Sequence, residues 1–148
     1  MDAEIYQKFT DLERDHWWFQ GRRTVYMGIL SAHLKQAKDD KVLDLGCGLG
    51  GFMGELENLG YEVYGADIDH ESLTHCRTRG YKLCTRIGNG PLPFADNSFN
   101  LITMFDAIEH IKDDHSVMSE IQRVLKPGGS VIISVPAYQF LFSNNDVV

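Results

Sequence analysis

The run Lys41-Val-Leu-Asp-Leu-Gly46, passing directly into Cys47-Gly-Leu-Gly-Gly51, constrains this chain more than any other feature. A short apolar run that ends in clustered glycines reads as a buried strand opening into a tight turn. Beyond the turn, Phe52, Met53, Leu56 and Leu59 recur at helical spacing, and Gly60 is placed to stop that helix. Strand, glycine turn and helix in that order open a βαβ unit, which requires a parallel partner strand.

The following sequence supplies such partners. Glu62-Val-Tyr-Gly-Ala-Asp67 is a second strand, and Asp69 caps a helix that ends at Gly80. A third strand fits Tyr81 to Thr85, and Asn89-Gly-Pro-Leu-Pro93 is a loop. Ser98 to Phe105 is a fourth strand. Val117, Met118, Ile121, Val124 and Leu125 form a helical stripe, broken by Lys126-Pro-Gly-Gly129 before a fifth strand at Ser130 to Val135. Strands separated by helices predict an α/β chain with a parallel sheet covered on both faces. Before residue 41 the pattern is two helices joined around His16-Trp-Trp-Phe-Gln-Gly21. The expected organisation is therefore a helical cap over residues 1–39 and a ligand-binding domain over residues 40–148.

Composition narrows the setting. A chain of 148 residues supports one core. Its net charge of -7 argues against nucleic acid or an anionic membrane as partner. The three cysteines form no Cys-x-x-Cys pair and read as reduced thiols, hence a cytoplasmic setting. No apolar run has the length of a membrane span, and the acidic start Met1-Asp-Ala-Glu4 is unlike a signal peptide.

Chemistry concentrates where the first two strands end. Glycines there let a ligand press on the backbone, and the helix that follows offers free N–H groups. Asp67, 21 positions after Gly46, is placed to accept both hydroxyls of an adenosine ribose. Two adenosine ligands compete. Gly46-x-Gly48-x-x-Gly51 matches the dinucleotide fingerprint, so an NAD-type oxidoreductase is one reading. Asp44 opposes it, because its carboxylate would face phosphates. Beside the ammonium and sulfonium of S-adenosylmethionine the same charge is favourable. The alternating triplet Gly46, Gly48, Gly50 points the same way.

Val42-Leu-Asp-Leu-Gly-Cys-Gly-Leu-Gly50 resembles the first motif of class I S-adenosylmethionine-dependent methyltransferases, and Val63-Tyr-Gly-Ala-Asp-Ile68 resembles their second. Leu92-Pro-Phe-Ala-Asp-Asn-Ser-Phe-Asn100, Ile108-Glu-His-Ile111 and Leu125-Lys-Pro-Gly-Gly129 are similar to the later motifs, in order. Trp17-Trp-Phe-Gln-Gly-Arg-Arg23 is similar to the N-terminus of one bacterial and archaeal subgroup. The resemblance implies a Rossmann-like, doubly wound sheet ordered 3-2-1-4-5, with N-terminal helices. It implies Gly46, Gly48 and Gly50 under the methionine moiety, Asp67 on the ribose and Ile68 against the adenine. Where the family often carries an acidic residue for the adenine amino group, this chain reads Ile87-Gly-Asn-Gly-Pro91, and Asn89 is the candidate. Asp44, Cys47, Phe105, Trp18 and Arg22 complete the candidate cofactor set, with S-adenosylhomocysteine as product.

The implied reaction is displacement at an activated methyl carbon, with a small-molecule, lipid-linked or sugar-linked acceptor. The protein aligns the nucleophile, and a base is needed only where that nucleophile must lose a proton. Asp106, Glu109 and His110 follow the fourth strand and are the candidate catalytic groups; in a helix they share one face. No metal is required by this reading, but the same three side chains could hold a divalent cation. The plainer alternative has His110 packed and Glu109 capping a helix or facing water. Trp17, Trp18 and Phe19 are either an aromatic wall over the ligand or the seam that docks the N-terminal helices. Arg22 and Arg23 either hold a carboxylate or phosphate or are a solvated helix start. Asp113 and Asp114 suit helix capping, and His70 and His75 suit the surface.

The family's sheet has seven strands, whereas thirteen residues follow Val135. The expectation is a C-terminally truncated domain that lacks the last two strands. Strand five would then be an open edge, and copies would pair there or through Tyr138 to Phe142, or the chain would bury that edge under its own tail. A non-catalytic cofactor-binding fragment is the third functional reading.

Overall fold

The computed structural model describes residues 8, 11–34 and 40–137. Residues 11–15 are helical, and His16 breaks the helix and caps the next, its imidazole accepting from Trp18 N–H at 3.3 Å. Helix α1 (Trp17–His33) therefore begins within the Trp-Trp-Phe segment expected to be the joint. The remaining elements are β1 (Lys41–Leu45), α2 (Met53–Asn58), β2 (Glu62–Asp67), α3 (His70–Thr78), β3 (Cys84–Arg86), β4 (Phe99–Phe105), α4 (Asp114–Val124) and β5 (Leu125–Ser134).

Among the described residues the strands form one sheet, all parallel, ordered β3-β2-β1-β4-β5. This is the expected Rossmann-like arrangement. In the centre, Leu43 lies between Tyr64 and Ile102. Strand side chains alternate between faces, so neighbours along β1 and β4 serve two cores. Val42, Val63 and Leu101 meet Leu30 of α1, Met53 and Leu56 of α2, and Leu73 of α3. Leu43, Leu45, Ile102 and Met104 meet Ile121 and Val124 of α4. Full burial of each such side chain contributes about 1.5–3 kcal/mol, which fixes the register of the central strands.

Two expected boundaries move, each for a local reason. Tyr81 N–H bonds back to the Cys76 carbonyl (3.1 Å) and Gly80 N–H to that of Arg77 (3.0 Å), closing α3 with Gly80 at φ +102°. Tyr81 thus belongs to the helix stop, and β3 starts at Cys84. At the other end, Lys126–Gly129 does not separate α4 from β5. Leu125 already pairs with Phe99, the next pair is Ser130 with Leu101, and the intervening residues bulge out of the ladder. β5 has β4 as its neighbour among the described residues; the Tyr138-to-Phe142 segment lies outside them. Among the described residues no helix is long and apolar enough to cross a membrane.

Candidate functional site

The glycine loop after β1 is tied down by backbone bonds. Gly46 and Cys47 N–H both donate to the Ala66 carbonyl, at 2.8 and 3.2 Å, and Gly50 N–H donates to that of Cys47 at 2.8 Å. Gly46, Gly48 and Gly50 all have left-handed backbone, at φ +78°, +50° and +79°. A Cβ on Gly46 would lie 2.7 Å from that of Ala107, whereas one on Gly48 would meet nothing within 4 Å. Gly46 is thus a packing requirement, and Gly48 faces the space a ligand would enter.

Asp67 locks this loop to β2. Its Oδ2 accepts from Gly48 N–H at 2.8 Å and its Oδ1 from Asp69 N–H at 2.9 Å. A carboxylate oxygen has two acceptor positions, so each keeps one for a hydroxyl. Beside it Ile68 is 65% exposed, an apolar side chain with no core to serve. Asn89 is exposed in the bend beyond β3. None of these three lines the enclosed cavity.

The enclosed end is a cavity of about 190 Å³. Asp44, Gly46, Cys47, Gly48 and Gly51 form its floor, and Phe52, Phe105 and Asp106 one side. The N-terminal segment closes the other side with Glu13, Phe19, Arg22 and Arg23. A larger cleft, about 460 Å³, lies at the opposite end of the sheet near Asp40, Asn100 and Lys126. It has neither the glycine turn nor the carboxyl ends of strands, where open parallel sheets hold ligands.

Asp44 is buried and accepts from the Thr103 hydroxyl at 2.8 Å. Burial pushes its carboxyl up to about 7, against the lowering effect of Thr103, and the negative charges of Asp67 and Glu13 push it the same way. A cation in the cavity would return it to the charged form. The Cys47 thiol, hydrogen-bonded to Cys76 and buried, is held well above the ordinary thiol range. It serves as a wall of the cavity and is no nucleophile.

An aromatic seam docks α1. Tyr26 stacks on Phe105 with ring centroids 4.4 Å apart, and Phe52 packs on the same ring at 4.6 Å. The Arg22 guanidinium lies 5.7 to 5.8 Å from the rings of Phe19, Tyr26 and Phe52 and pairs with Asp106 Oδ2. Of the aromatic triplet read from the sequence, Phe19 lines the cavity. Trp17 is 72% and Trp18 48% exposed, packed edge to face on each other and outside the cavity lining. Arg23 is anchored on the carbonyls of Glu13 (2.5 Å) and Arg14 (3.1 Å).

The expected helical face of Asp106, Glu109 and His110 does not form. Asp106 stands at φ +50°, before a single 3-10 turn over Ile108–His110. Its carboxylate is taken by Arg22 and by the Ser134 hydroxyl at 3.0 Å. His110 is exposed, and Glu109 Oε2 is buried with no hydrogen-bond partner among the described residues. No group of three His, Cys, Asp or Glu side chains among the described residues converges to hold a metal. Asp113 caps α4, accepting from Ser116 N–H, while Asp114 lies inside that helix. Glu13, Phe52 and Tyr26 contribute to the site or its seam without having been singled out for it in the sequence, and Gly51 entered there only through the dinucleotide pattern. Gly51 and Phe52 carried a signal, the one as the last glycine of the Gly46-x-Gly48-x-x-Gly51 pattern and the other at the start of a helix beside the glycine turn.

The methyltransferase domain family matches residues 43–133 of this chain. A probable S-adenosylmethionine-dependent methyltransferase of Mycolicibacterium smegmatis is 34% identical over 126 residues, spanning 84% of this chain and 48% of the relative. The chain thus spans about half the length of such relatives. A crystal structure of a Pyrococcus horikoshii protein superimposes with a TM-score of 0.73 at 30% identity, covering 90% of this chain and 66% of the other. Phosphoethanolamine N-methyltransferase 2 of Haemonchus contortus, in complex with S-adenosyl-L-methionine, superimposes with a TM-score of 0.66 at 31% identity, covering 74% and 27%.

Proposed function

This chain belongs to the methyltransferase domain family, whose cofactor is S-adenosylmethionine, and from that premise we propose that it binds this cofactor across the carboxyl ends of β1 and β2 and passes its methyl group to a small-molecule acceptor, free or carried on a lipid or sugar. The observation that carries the reading is the joint between Gly48 and Asp67: a left-handed glycine facing open space, held at 2.8 Å by a carboxylate that keeps acceptor capacity for a ribose.

In this reading the cofactor's sulfonium supplies the leaving group, and the chain binds and orients. Asp67 fixes the ribose, Ile68 covers one adenine face and Asn89 reaches the adenine edge. Gly46, Gly48 and Gly50 admit the methionine portion against the backbone, walled by Cys47 and Phe105. Asp44 opposes its positive charge, and Arg22 faces its carboxylate. Trp18 stands at the rim. Glu109 and His110, just after β4, are the groups to take a proton from an acceptor, while Asp106, engaged by Arg22 and Ser134, positions α1. Residues 1–39 act as a cap on the domain that follows. The free thiols of Cys47, Cys76 and Cys84 suit a cytoplasmic setting.

A dinucleotide shares the glycine pattern but would set phosphates against the buried Asp44. Calorimetry decides: binding of S-adenosylhomocysteine with no heat from NAD supports the proposal, and the reverse overturns it. Labelled methyl transfer to phenolic, sugar and lipid-linked acceptors then separates an enzyme from a binding module, which would take up cofactor and transfer nothing. Among the described residues β5 has β4 as its one neighbour, and its other edge suits pairing with a second copy, for which light scattering should report a dimer; a monomer rejects it.

A further inference from the structure

The cavity contains two buried polar atoms that lack hydrogen-bond partners among the described residues, and they are of opposite kind. Glu13 Oε2 is an acceptor and Arg22 Nε a donor. Buried polar atoms left unsatisfied are rare because each costs free energy. A ligand that brings an ammonium and a carboxylate would satisfy both.

Glu13 is held for such a role. Arg23 binds its backbone carbonyl at 2.5 Å and anchors the segment, so that cation is already committed there. Across the cavity, Gly51 leaves the room the carboxylate fills: a Cβ on Gly51 would stand 2.9 Å from Oε2. Gly51 does not have left-handed backbone, so its lack of a side chain is explained by this approach. Burial raises the Glu13 carboxyl above its ordinary value, with Arg79, Arg23 and Arg22 pulling it back. None of these guanidiniums forms a hydrogen bond with Oε2. The charge is offset at a distance and unbonded at contact.

We propose that Glu13 receives the α-ammonium of the cofactor's amino-acid end, with Arg22 facing the neighbouring carboxylate. The N-terminal segment then recognises the zwitterion, and the glycine loop and Asp67 recognise the nucleoside. The inference rests on the cofactor reading above. It adds that affinity for the amino-acid end comes from a segment outside the strand-and-loop motifs.

The test uses the full chain, calorimetry, and two probes. S-adenosylhomocysteine has the amino-acid end, and 5′-methylthioadenosine lacks it. Glu13→Gln keeps the shape and removes the charge. It should weaken S-adenosylhomocysteine about tenfold or more, the effect of losing a charge-assisted hydrogen bond, and leave 5′-methylthioadenosine within about twofold. Gly51→Ala, which displaces the carboxylate by contact, should show the same selectivity. The melting temperature of unliganded Glu13→Gln should be equal to or above wild type, since a buried charge is removed. Equal losses on both probes, no loss on either, or a lowered unliganded melting temperature overturns the assignment of Glu13. Failure of the wild-type chain to bind S-adenosylhomocysteine overturns the cofactor reading and this inference together.

Discussion

The two walls of the cavity are built by different means. The inner wall, β1, β2 and the glycine loop, is held by backbone hydrogen bonds and by strand residues with no access to solvent, such as Val42, Leu43 and Ala66. The outer wall is the N-terminal segment, Glu13 and helix α1, and in α1 Leu30 alone is buried. It leans on Phe105 through Tyr26 and is pinned by the Arg22–Asp106 pair. A ring stack and an ion pair are far easier to open than a parallel ladder with a buried face. The inner wall is therefore the more firmly held of the two, and the outer wall supplies Glu13, Arg22 and Arg23, most of the charged side chains of the cavity.

The buried carboxyl of the inner wall gives the largest effect. Asp44 titrates near 7 in the folded chain, against 3.8 ordinarily. A raised carboxyl means folding favours the neutral form. Its contribution is full below about pH 4 and is lost as pH rises through about 7, up to about 4 kcal/mol in all. Urea midpoints of the unliganded chain should fall across that window, and Asp44→Asn should flatten the profile; parallel profiles would show that the carboxyl is not perturbed. Asp44→Asn should also weaken S-adenosylhomocysteine more than 5′-methylthioadenosine, and equal losses would make Asp44 structural. Gly46→Ala, which meets Ala107 at 2.7 Å with φ +78°, should cost about 3 kcal/mol of unfolding free energy. A loss below about 1 kcal/mol would mean that the inner wall yields after all. Asp67→Ala should cost about 1.5–3 kcal/mol of S-adenosylhomocysteine binding by calorimetry, and unchanged affinity would remove the ribose assignment. At the small end is Trp18→Ala on the outer wall. It should change stability by less than about 0.5 kcal/mol and cofactor affinity by less than twofold; a larger loss would place Trp18 over the ligand.

The same contrast decides what could be read in advance. The inner wall was legible because its causes are local: apolar runs for buried strands, glycine at positive φ for turns, Asp69 and Gly80 as helix ends. β3 and β5 were misjudged at their starts because Tyr81 completes a helix stop and Lys126–Gly129 bulges rather than breaks. Asp106, Glu109 and His110 looked like one helical face, but the chain turns left-handed at Asp106 so that its carboxylate meets Arg22. Glu13 gave no signal, since an acidic residue in an amphipathic segment is ordinary until the fold brings it against Gly51. What long-range docking creates, local pattern does not announce.

The all-parallel sheet also sets an order of events during synthesis. Among the described residues no two neighbouring strands are joined by a tight hairpin, and the hydroxyl that partners Asp44 belongs to Thr103, 59 residues further on. The β1–α2–β2 unit, with its glycine loop and Asp67, leaves the ribosome while β1 still lacks β4. Until then one long edge of the future central strand is open, and Asp44 has no Thr103. Such non-local pairing is slow and leaves an apolar edge exposed. A newly made chain thus carries the glycine loop and Asp67 before it has a finished core.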